Sequence, residues 1–303
     1  METPDLEQRL RDRPGDRASW LVYGDRLLDR GDARGTLIRL EERRARCGPV
    51  EGVALDHEIT GLEREHQVGW DAALPEGVTV LARRYGFATK IAVEWSENAP
   101  AVIERALRDP FVTALRIRPP AGPSDDDEEE EEEEWIELDE DGMPLGAPPV
   151  EAGALATLDL GRLTELDLSY FRVGDPGARA LAASIAKGRV ETLDLRYCGI
   201  GDDGLEVLAA SPHFDRLRRL RLQSNGLTAA GVRSLGRFGR LVDLDLRYNR
   251  IGADGADALL AAPFIGSLQR LLLHRGDLSD AGVKKLALAD QLPPALRSFW
   301  RSV

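Results

Sequence analysis

Between Leu163 and Lys285 the chain repeats itself, and no other feature restricts its fold so tightly. In register, the copies read L-T-E-L-D-L-S-Y-F-R-V from Leu163, V-E-T-L-D-L-R-Y-C-G-I from Val190, L-R-R-L-R-L-Q-S-N-G-L from Leu217, L-V-D-L-D-L-R-Y-N-R-I from Leu241 and L-Q-R-L-L-L-H-R-G-D-L from Leu268. Four residues after each copy come a Gly and then, four further on, an aliphatic residue. The anchor leucines Leu166, Leu193, Leu220, Leu244 and Leu271 are spaced 27, 27, 24 and 27 residues apart. A unit of this length holds one strand and one helix and buries its apolar face only by stacking on its neighbours.

The frame L-x-x-L-x-L-x-x-(N/C/F/G)-x-(L/I/V)-x-x-x-G-x-x-x-L resembles leucine-rich repeats, and the long helix-bearing unit resembles the ribonuclease-inhibitor-like class. That resemblance implies an α/β solenoid: a curved horseshoe with a parallel concave sheet and convex helices. It implies little about activity, because repeat arrays are platforms whose function lies in the surface residues placed on them.

In L-x-x-L-x-L the leucines turn inward, and period-two alternation sends the residues between them to the concave sheet. Successive units place there Glu165, Asp167 and Ser169; Thr192, Asp194 and Arg196; Arg219, Arg221 and Gln223; Asp243, Asp245 and Arg247; and Arg270, Leu272 and His274. Tyr170, Tyr197, Ser224, Tyr248 and Arg275 follow the strands. Stacking predicts a row of Ser169, Arg196, Gln223, Arg247 and His274 beside a row holding three tyrosines. Arg and Tyr combine apolar faces with directional donors and are over-represented in binding hot spots. The partner-binding candidates are therefore Tyr170, Tyr197, Tyr248, Arg196, Arg221, Arg247, His274, Arg275, Asp194 and Asp245. A competing reading has the charges neutralise one another, with Asp194 between Asp167 and Arg221, and Asp245 beside Arg221 and Arg247.

Helices on the other side should start near Asp175, Asp202, Thr228, Asp254 and Ser279, whose oxygens suit free amides. Ala178, Leu181, Leu205, Leu208, Val232, Leu235, Ala256, Leu259, Val283 and Leu286 follow at inward-facing spacings. Leu296, Phe299 and Trp300 read as a last short strand that gives the array an aromatic C-terminal end, so the array spans 150–303.

Upstream, residues 1–74 read as a small helical N-terminal cap. Asp16 caps a helix through Trp20, Tyr23 and Leu27 that stops at Gly31, and a second helix covers Arg34 to Arg46 with Leu37, Ile38 and Leu40 inward. A third stretch places Leu55, Ile59 and Leu62 on one face, with Trp70 near its end. The wording D-R-A-S-W-L-V-Y-G-D-R-L-L-D-R-G-D-A-R-G-T-L-I-R-L-E is similar to a short bacterial repeat-companion domain that precedes repeat arrays. The matching positions are Tyr23, Asp25, Leu27, Gly31, Asp32, Arg34, Gly35, Leu37 and Ile38, with Arg26 where that family more often has Trp. Residues 75–118 read as degenerate early strand-helix repeats: two strands around Tyr85-Gly86, a helix from Asn98 to Asp109, and a strand from Val112. Ile91 and Leu115 are taken as their anchors.

Net charge is -13, but it is local. Residues 125 to 141 hold 14 acidic side chains and no Lys or Arg, and without them 39 acids face 40 bases. The proline-flanked insert 119–149, with Asp125, Asp126, Asp127, Glu128, Glu129 and Glu130 at its head, is expected to be disordered, because like charges repel and bury no apolar area. It serves as a solubilising loop or as an arm for a basic partner. Trp135, Ile136 and Leu138 after the acidic run could return to the body as a strand.

Catalytic signals are sparse. His57, His66, His213 and His274 lie in no metal-spaced motif, no phosphate-binding Gly loop or nucleophile elbow occurs, and the acidic run lacks the spacing of a calcium loop. Neither cofactor nor metal is expected. The charged start predicts no secretory signal, the longest apolar runs are too short to span a membrane, and Cys47 and Cys198 read as reduced thiols of a bacterial cytoplasmic protein. The expected function is a non-enzymatic scaffold binding a partner protein on the concave face. The alternative is a regulator or inhibitor of a partner enzyme such as a nuclease or GTPase, with the insert engaging a basic surface. Nucleic acids and small molecules are disfavoured as ligands.

Overall fold

A computed structural model describes residues 3–120, 152–184 and 188–302. The acidic stretch from 125 to 141, with Asp125, Asp126, Asp127, Glu128, Glu129 and Glu130, lies outside them, as do Trp135, Ile136 and Leu138. The chain divides into two compact units, Met1–Val93 with Ala101–Ala114, and Glu94–Pro100 with Leu115–Val303.

The first unit opens with helices α1 (Thr3–Asp12), α2 (Arg17–Asp29), α3 (Arg34–Arg44) and α4 (Pro49–Asp71), followed by strands β1 (Val78–Arg84) and β2 (Phe87–Glu94) and most of α5 (Ala99–Ala106). Asp16 caps α2 by accepting from the Ser19 N–H at 3.2 Å, and Gly31 at φ 72° ends it, as the capping residues predict. Gly35 is required by a close approach: a Cβ there would lie 2.6 Å from the carbonyl oxygen of Gly24, so α2 and α3 pack nearly backbone to backbone. Leu6, Leu10, Trp20, Tyr23, Leu27 and Ile38 meet Tyr85, Phe87 and Phe111 in one core. Trp20 stands edge-on to Tyr85 at 4.8 Å, and Phe87 meets Phe111 at 4.5 Å.

β1 and β2 pair antiparallel, unlike the parallel strands that the repeat frame implies, because two residues at Tyr85-Gly86 cannot make a parallel crossover. Both take positive φ, 51° and 80°, as a tight hairpin turn requires. Tyr is a strained choice there, and a buried group secures it: Glu42 accepts from the Tyr85 hydroxyl and from Arg17 Nε, each at 2.6 Å. Burial, and then the Glu42 bond, push the Tyr85 hydroxyl pKa up.

The second unit contains the rest of β3 (Ala114–Arg118) and then α6 (Ala152–Ala156), β4 (Glu165–Asp167), α7 (Gly174–Ser184), β5 (Thr192–Asp194), α8 (Asp202–Ala210), β6 (Arg219–Arg221), α9 (Ala229–Ser234), β7 (Asp243–Asp245), α10 (Gly252–Leu260), β8 (Arg270–Leu272), α11 (Asp280–Leu288) and α12 (Pro294–Ser302). It is an α/β solenoid. β3 neighbours β4, and β4 to β8 run parallel with Leu166, Leu193, Leu220, Leu244 and Leu271 in direct register. All five anchors are buried, as are the ten helix positions expected to face inward. Each fully buried leucine contributes about 1.5–3 kcal/mol, which is why strands of three residues suffice. The 24-residue period has a local origin in α9, which is six residues long and tightens into a 3-10 turn at Leu235–Arg237.

The C-terminal end departs from expectation. Residues 294–302 form a helix rather than a closing strand. Pro294 pre-sets the first helical φ, and Leu296, Phe299 and Trp300 are spaced i, i+3, i+4, a helical interval rather than a strand alternation. Leu296 is half-buried and Phe299 is 54% exposed; the Trp300 side chain lies outside the described set.

Side chains tie neighbouring repeats together where their backbones turn. The Asn225 carbonyl oxygen accepts from the N–H groups of Cys198 and Ile200, and its amide donates to Leu195 O. One repeat later, Asn249 accepts from Asn225 N and Leu227 N at 3.1 and 3.0 Å and donates to Leu222 O and Leu246 O. Cys198 takes the preceding rung, its thiol reaching Leu168 O at 3.1 Å, and burial pushes its pKa well up. The helix caps cross repeats as well. Asp175 and Asp202 do not cap their own helices: Asp175 accepts from Gly201 N and Gly204 N at the start of α8, and Asp202 from the backbone and hydroxyl of Thr228 at the start of α9. The repeated glycine makes room for this, since a Cβ on Gly204 would stand 2.5 Å from the Asp175 carboxylate. Thr228 and Ser279 cap their own helices, as expected.

Two stability predictions follow from these contacts. Asn249→Ala strands two buried N–H groups and two carbonyls, so it should cost about 3 kcal/mol in urea unfolding, whereas a merely packed polar residue would cost well under 1. Glu41 in α3 has its carboxyl raised to about 7 by burial and then by the charge of Glu63, from an unfolded value near 4.5. The folded chain therefore holds this proton more tightly than the unfolded chain, and its contribution to stability is lost as pH rises through about 7. Glu41→Gln should raise the urea midpoint at a pH of about 8 and leave it nearly unchanged at about 4.5.

Candidate binding face at the strand ends

Alternation along β4 to β8 places each intervening side chain on the face opposite the helices, and the register aligns them into rows. Glu165, Thr192, Arg219, Asp243 and Arg270 form one row; Asp167, Asp194, Arg221, Asp245 and Leu272 form the next. Arg219 Nε donates to the Thr192 hydroxyl at 2.9 Å, and Arg270 approaches Asp243 at 3.9 Å.

The aspartates are part of the scaffold. Asp194 and Asp245 each accept from the N–H of the arginine two residues on, Arg196 and Arg247, at 3.2 Å, and also bind its guanidinium. Asp167 treats Ser169 likewise, through both its N–H and its hydroxyl. Arg221 adds a cross-strand bond to Asp194 at 3.0 Å. The charge pairing weighed from the sequence is present in this form. Side-chain exposure separates the partners: 3% for Asp194 and 4% for Asp245, against 26% for Arg196, 42% for Arg221 and 39% for Arg247. Solvent therefore meets guanidinium edges whose positions are set by buried carboxylates. Partial burial works against the charge of Arg196, but the Asp194 bond outweighs it and raises its pKa.

Three residues beyond β4, β5, β6 and β7 the backbone is left-handed: Tyr170, Tyr197, Ser224 and Tyr248 have φ of 69°, 54°, 51° and 59°. Such values are uncommon for residues with a Cβ, and the inter-repeat bonds on either side hold them. Tyr170 stacks on Tyr197, with ring centres 5.1 Å apart and planes 10° apart. Burial raises the Tyr170 pKa. Tyr248 is 52% exposed and stacks on His274 at 5.2 Å and 26°.

The last repeat corrects the expected rows. His274 stacks on Tyr248. Arg275 opens a 3-10 turn, Arg275–Asp277, instead of taking a left-handed position, and lies exposed within 3.8 Å of Asp280. The physical reason is Asp277, which stands one residue beyond the ladder position. Its buried carboxylate accepts from Tyr248 N at 2.7 Å and His274 N at 3.0 Å, closing the ladder with a tighter turn. Burial raises its pKa. No spacing argument reveals this substitution. Arg116 of β3, which meets Asp167 at 3.5 Å, was legible as the outward residue of L-R-I in Leu115–Ile117.

Among the described residues no group of three or more His, Cys, Asp and Glu is placed to hold a metal ion, and no helix is long and apolar enough to cross a membrane. A shallow hollow of about 350 Å³ lies in the first unit beside Arg39, Arg43, Arg46 and Cys47. Its arginines pair with Asp25, Glu51 and Glu42; the strand-end rows are the better candidate site because the strand register aligns guanidiniums and rings from successive repeats there.

The leucine-rich repeat family model matches residues 163–182, 190–209, 217–236 and 241–260. These four segments are leucine-rich repeats, and the second unit is a leucine-rich repeat solenoid. No curated protein matches the chain.

The buried carboxylates give the face its own stability test. Asp194→Ala should cost about 2 kcal/mol, because bonds to one N–H and two guanidiniums disappear together. Arg221→Ala should cost under about 1, since its partly exposed head exchanges one bond for water. Urea unfolding of the two variants checks the order.

Proposed function

We propose that this leucine-rich repeat protein is a non-enzymatic interaction protein that binds a partner protein on its strand-end face, through Tyr170, Tyr197, Tyr248, Arg196, Arg221, Arg247 and His274, with Asp194 and Asp245 acting through the arginines they hold. The observation that carries this reading is the preset geometry of the face. Left-handed turns hold the rings of Tyr170, Tyr197 and Tyr248, and buried aspartates hold the guanidiniums. Side chains ordered before contact lose less freedom on binding, so more of the interaction energy becomes affinity. Tyr and Arg are also the residue types on which such energy concentrates.

The helical N-terminal unit is read as a repeat-companion domain, supported by the roles of its matching positions. Gly35 permits the α2–α3 approach, Asp32 holds Arg34 at 2.6 Å with Arg34 over the Phe87 ring, and Leu37 and Ile38 are fully buried. The ribonuclease-inhibitor-like assignment rests on the strand-helix alternation and the long period. Two free thiols, Cys47 and Cys198, support a reducing, cytoplasmic setting.

Affinity purification from the cells that express the chain tests the binding face. Replacing Tyr170, Tyr197 and Tyr248 together by Ala should weaken the recovered complex about 100-fold or more. Replacing Arg179, Glu206 and Arg233, exposed on the helices, should leave it intact. Retention of the same partner by the tyrosine variant, with its unfolding profile unchanged, would refute this reading.

A further inference from the structure

The tyrosine row has a gap. Tyr170 and Tyr197 form one stacked pair and Tyr248 and His274 another, and β6 places Ser224 between them in the same left-handed conformation. Tyr197 and Tyr248 follow strands two positions apart, about 10 Å at ordinary strand spacing. That leaves a slot one side chain wide, because a group inserted midway stands close to van der Waals contact with each ring. The side chains next to Ser224 are polar and ordered: Gln223 donates to the Tyr197 hydroxyl at 2.8 Å and accepts from Arg247 Nη2 at 3.4 Å, while Arg247 is anchored on Asp245.

We infer that the slot at Ser224 receives a carboxylate side chain from an extended acidic segment of the partner protein, whose backbone crosses the two stacked aromatic pairs. This deepens the binding-face reading and rests on it. Charge complementarity selects the occupant. Asp194 and Asp245 are buried and committed, so an incoming group meets the outer edges of Arg196, Arg221 and Arg247. A lysine or arginine would be repelled there. An apolar side chain would strip water from Arg247 and Gln223 and return no hydrogen bond. A carboxylate replaces that water with charge-assisted bonds.

The test titrates the full chain at low ionic strength with a fluorescein-labelled Gly-Glu repeat peptide and its Gly-Gln counterpart, read by anisotropy. The Glu peptide should bind at least about tenfold more tightly, and Arg247→Ala should remove most of that difference. Ser224→Tyr fills the slot with a residue that adopts the same backbone at 197 and 248, so it should fold and weaken binding about tenfold as well. Arg233→Ala, on the far side of the repeat, should change nothing. Equal binding of both peptides, or a loss at Arg233 equal to that at Arg247, overturns the proposal. A chain lacking residues 125–141 is titrated in parallel. If the Glu peptide binds only that chain, the slot belongs to the protein's own acidic stretch and the assignment to a partner is wrong; equal binding supports it. Failure of the Glu peptide, while the triple tyrosine variant still loses its partner, overturns the acidic assignment and leaves the binding face standing.

Discussion

Every repeat of the solenoid must turn its backbone sharply out of a strand and into a helix, and that turn leaves buried N–H and C=O groups with no partner inside the repeat. An unpaired buried group costs about 1–3 kcal/mol, so a stack of five turns would be untenable without outside help. The help comes from the next repeat. Asn225 serves the turn at Cys198 and Ile200, Asn249 serves the turn at Asn225 and Leu227, and Asp277 serves the turn at Tyr248. On the helical side, Asp175 and Asp202 satisfy the starting amides of the following helices. Each repeat is thus completed by a neighbour, and its stability is a property of the interface between repeats as much as of its own leucines.

The proposed binding face is a by-product of the same constraint. The residue just before each rung is left-handed at 170, 197, 224 and 248, whether Phe171, Cys198, Asn225 or Asn249 follows, and it is Tyr at 170, 197 and 248. The side chain at such a site leaves the turn in a fixed direction, so neighbouring rings stack instead of sampling solvent. The Asp at the last strand position acts similarly on charge: it satisfies the turn N–H two residues on and, from the same oxygens, sets the guanidinium beside it. Stability and the proposed recognition therefore draw on shared atoms. A change that loosens the ladder is expected to reach the tyrosines and arginines without touching them.

Legibility in the sequence followed the range of each interaction. Leucine spacing exposes the register of β4 to β8, because a period is visible in one dimension and each anchor does the same work. The inward helix positions, the Asp16 cap and the Tyr85-Gly86 turn were legible for the same local reason. What stayed hidden depends on a neighbouring repeat or on a phase choice. Asp175 and Asp202 look like caps of their own helices until the next helix start is seen beside them. Leu296, Phe299 and Trp300 carried a helical interval that the expectation of one more repeat overrode, and Pro294 pointed the same way. At the candidate face, the tyrosine row could be read from the frame, but the stacking of His274 on Tyr248 could not. It depends on Asp277 standing one residue beyond the ladder position.

That last substitution shows how a repeat array ends its ladder. The interior rungs at Asn225 and Asn249 use a neutral amide, which donates to carbonyls on one side and accepts N–H groups on the other. The rung at Asp277 accepts from Tyr248 N and His274 N, and a carboxylate offers more acceptor capacity than an amide oxygen. Burial opposes its charge, which is why its pKa rises rather than falls despite two short bonds. The tighter turn it imposes removes one left-handed position and supplies an imidazole in its place, so the row ends on His274 against Tyr248. An imidazole then borders the aromatic row at one end only, giving an otherwise repetitive surface a direction.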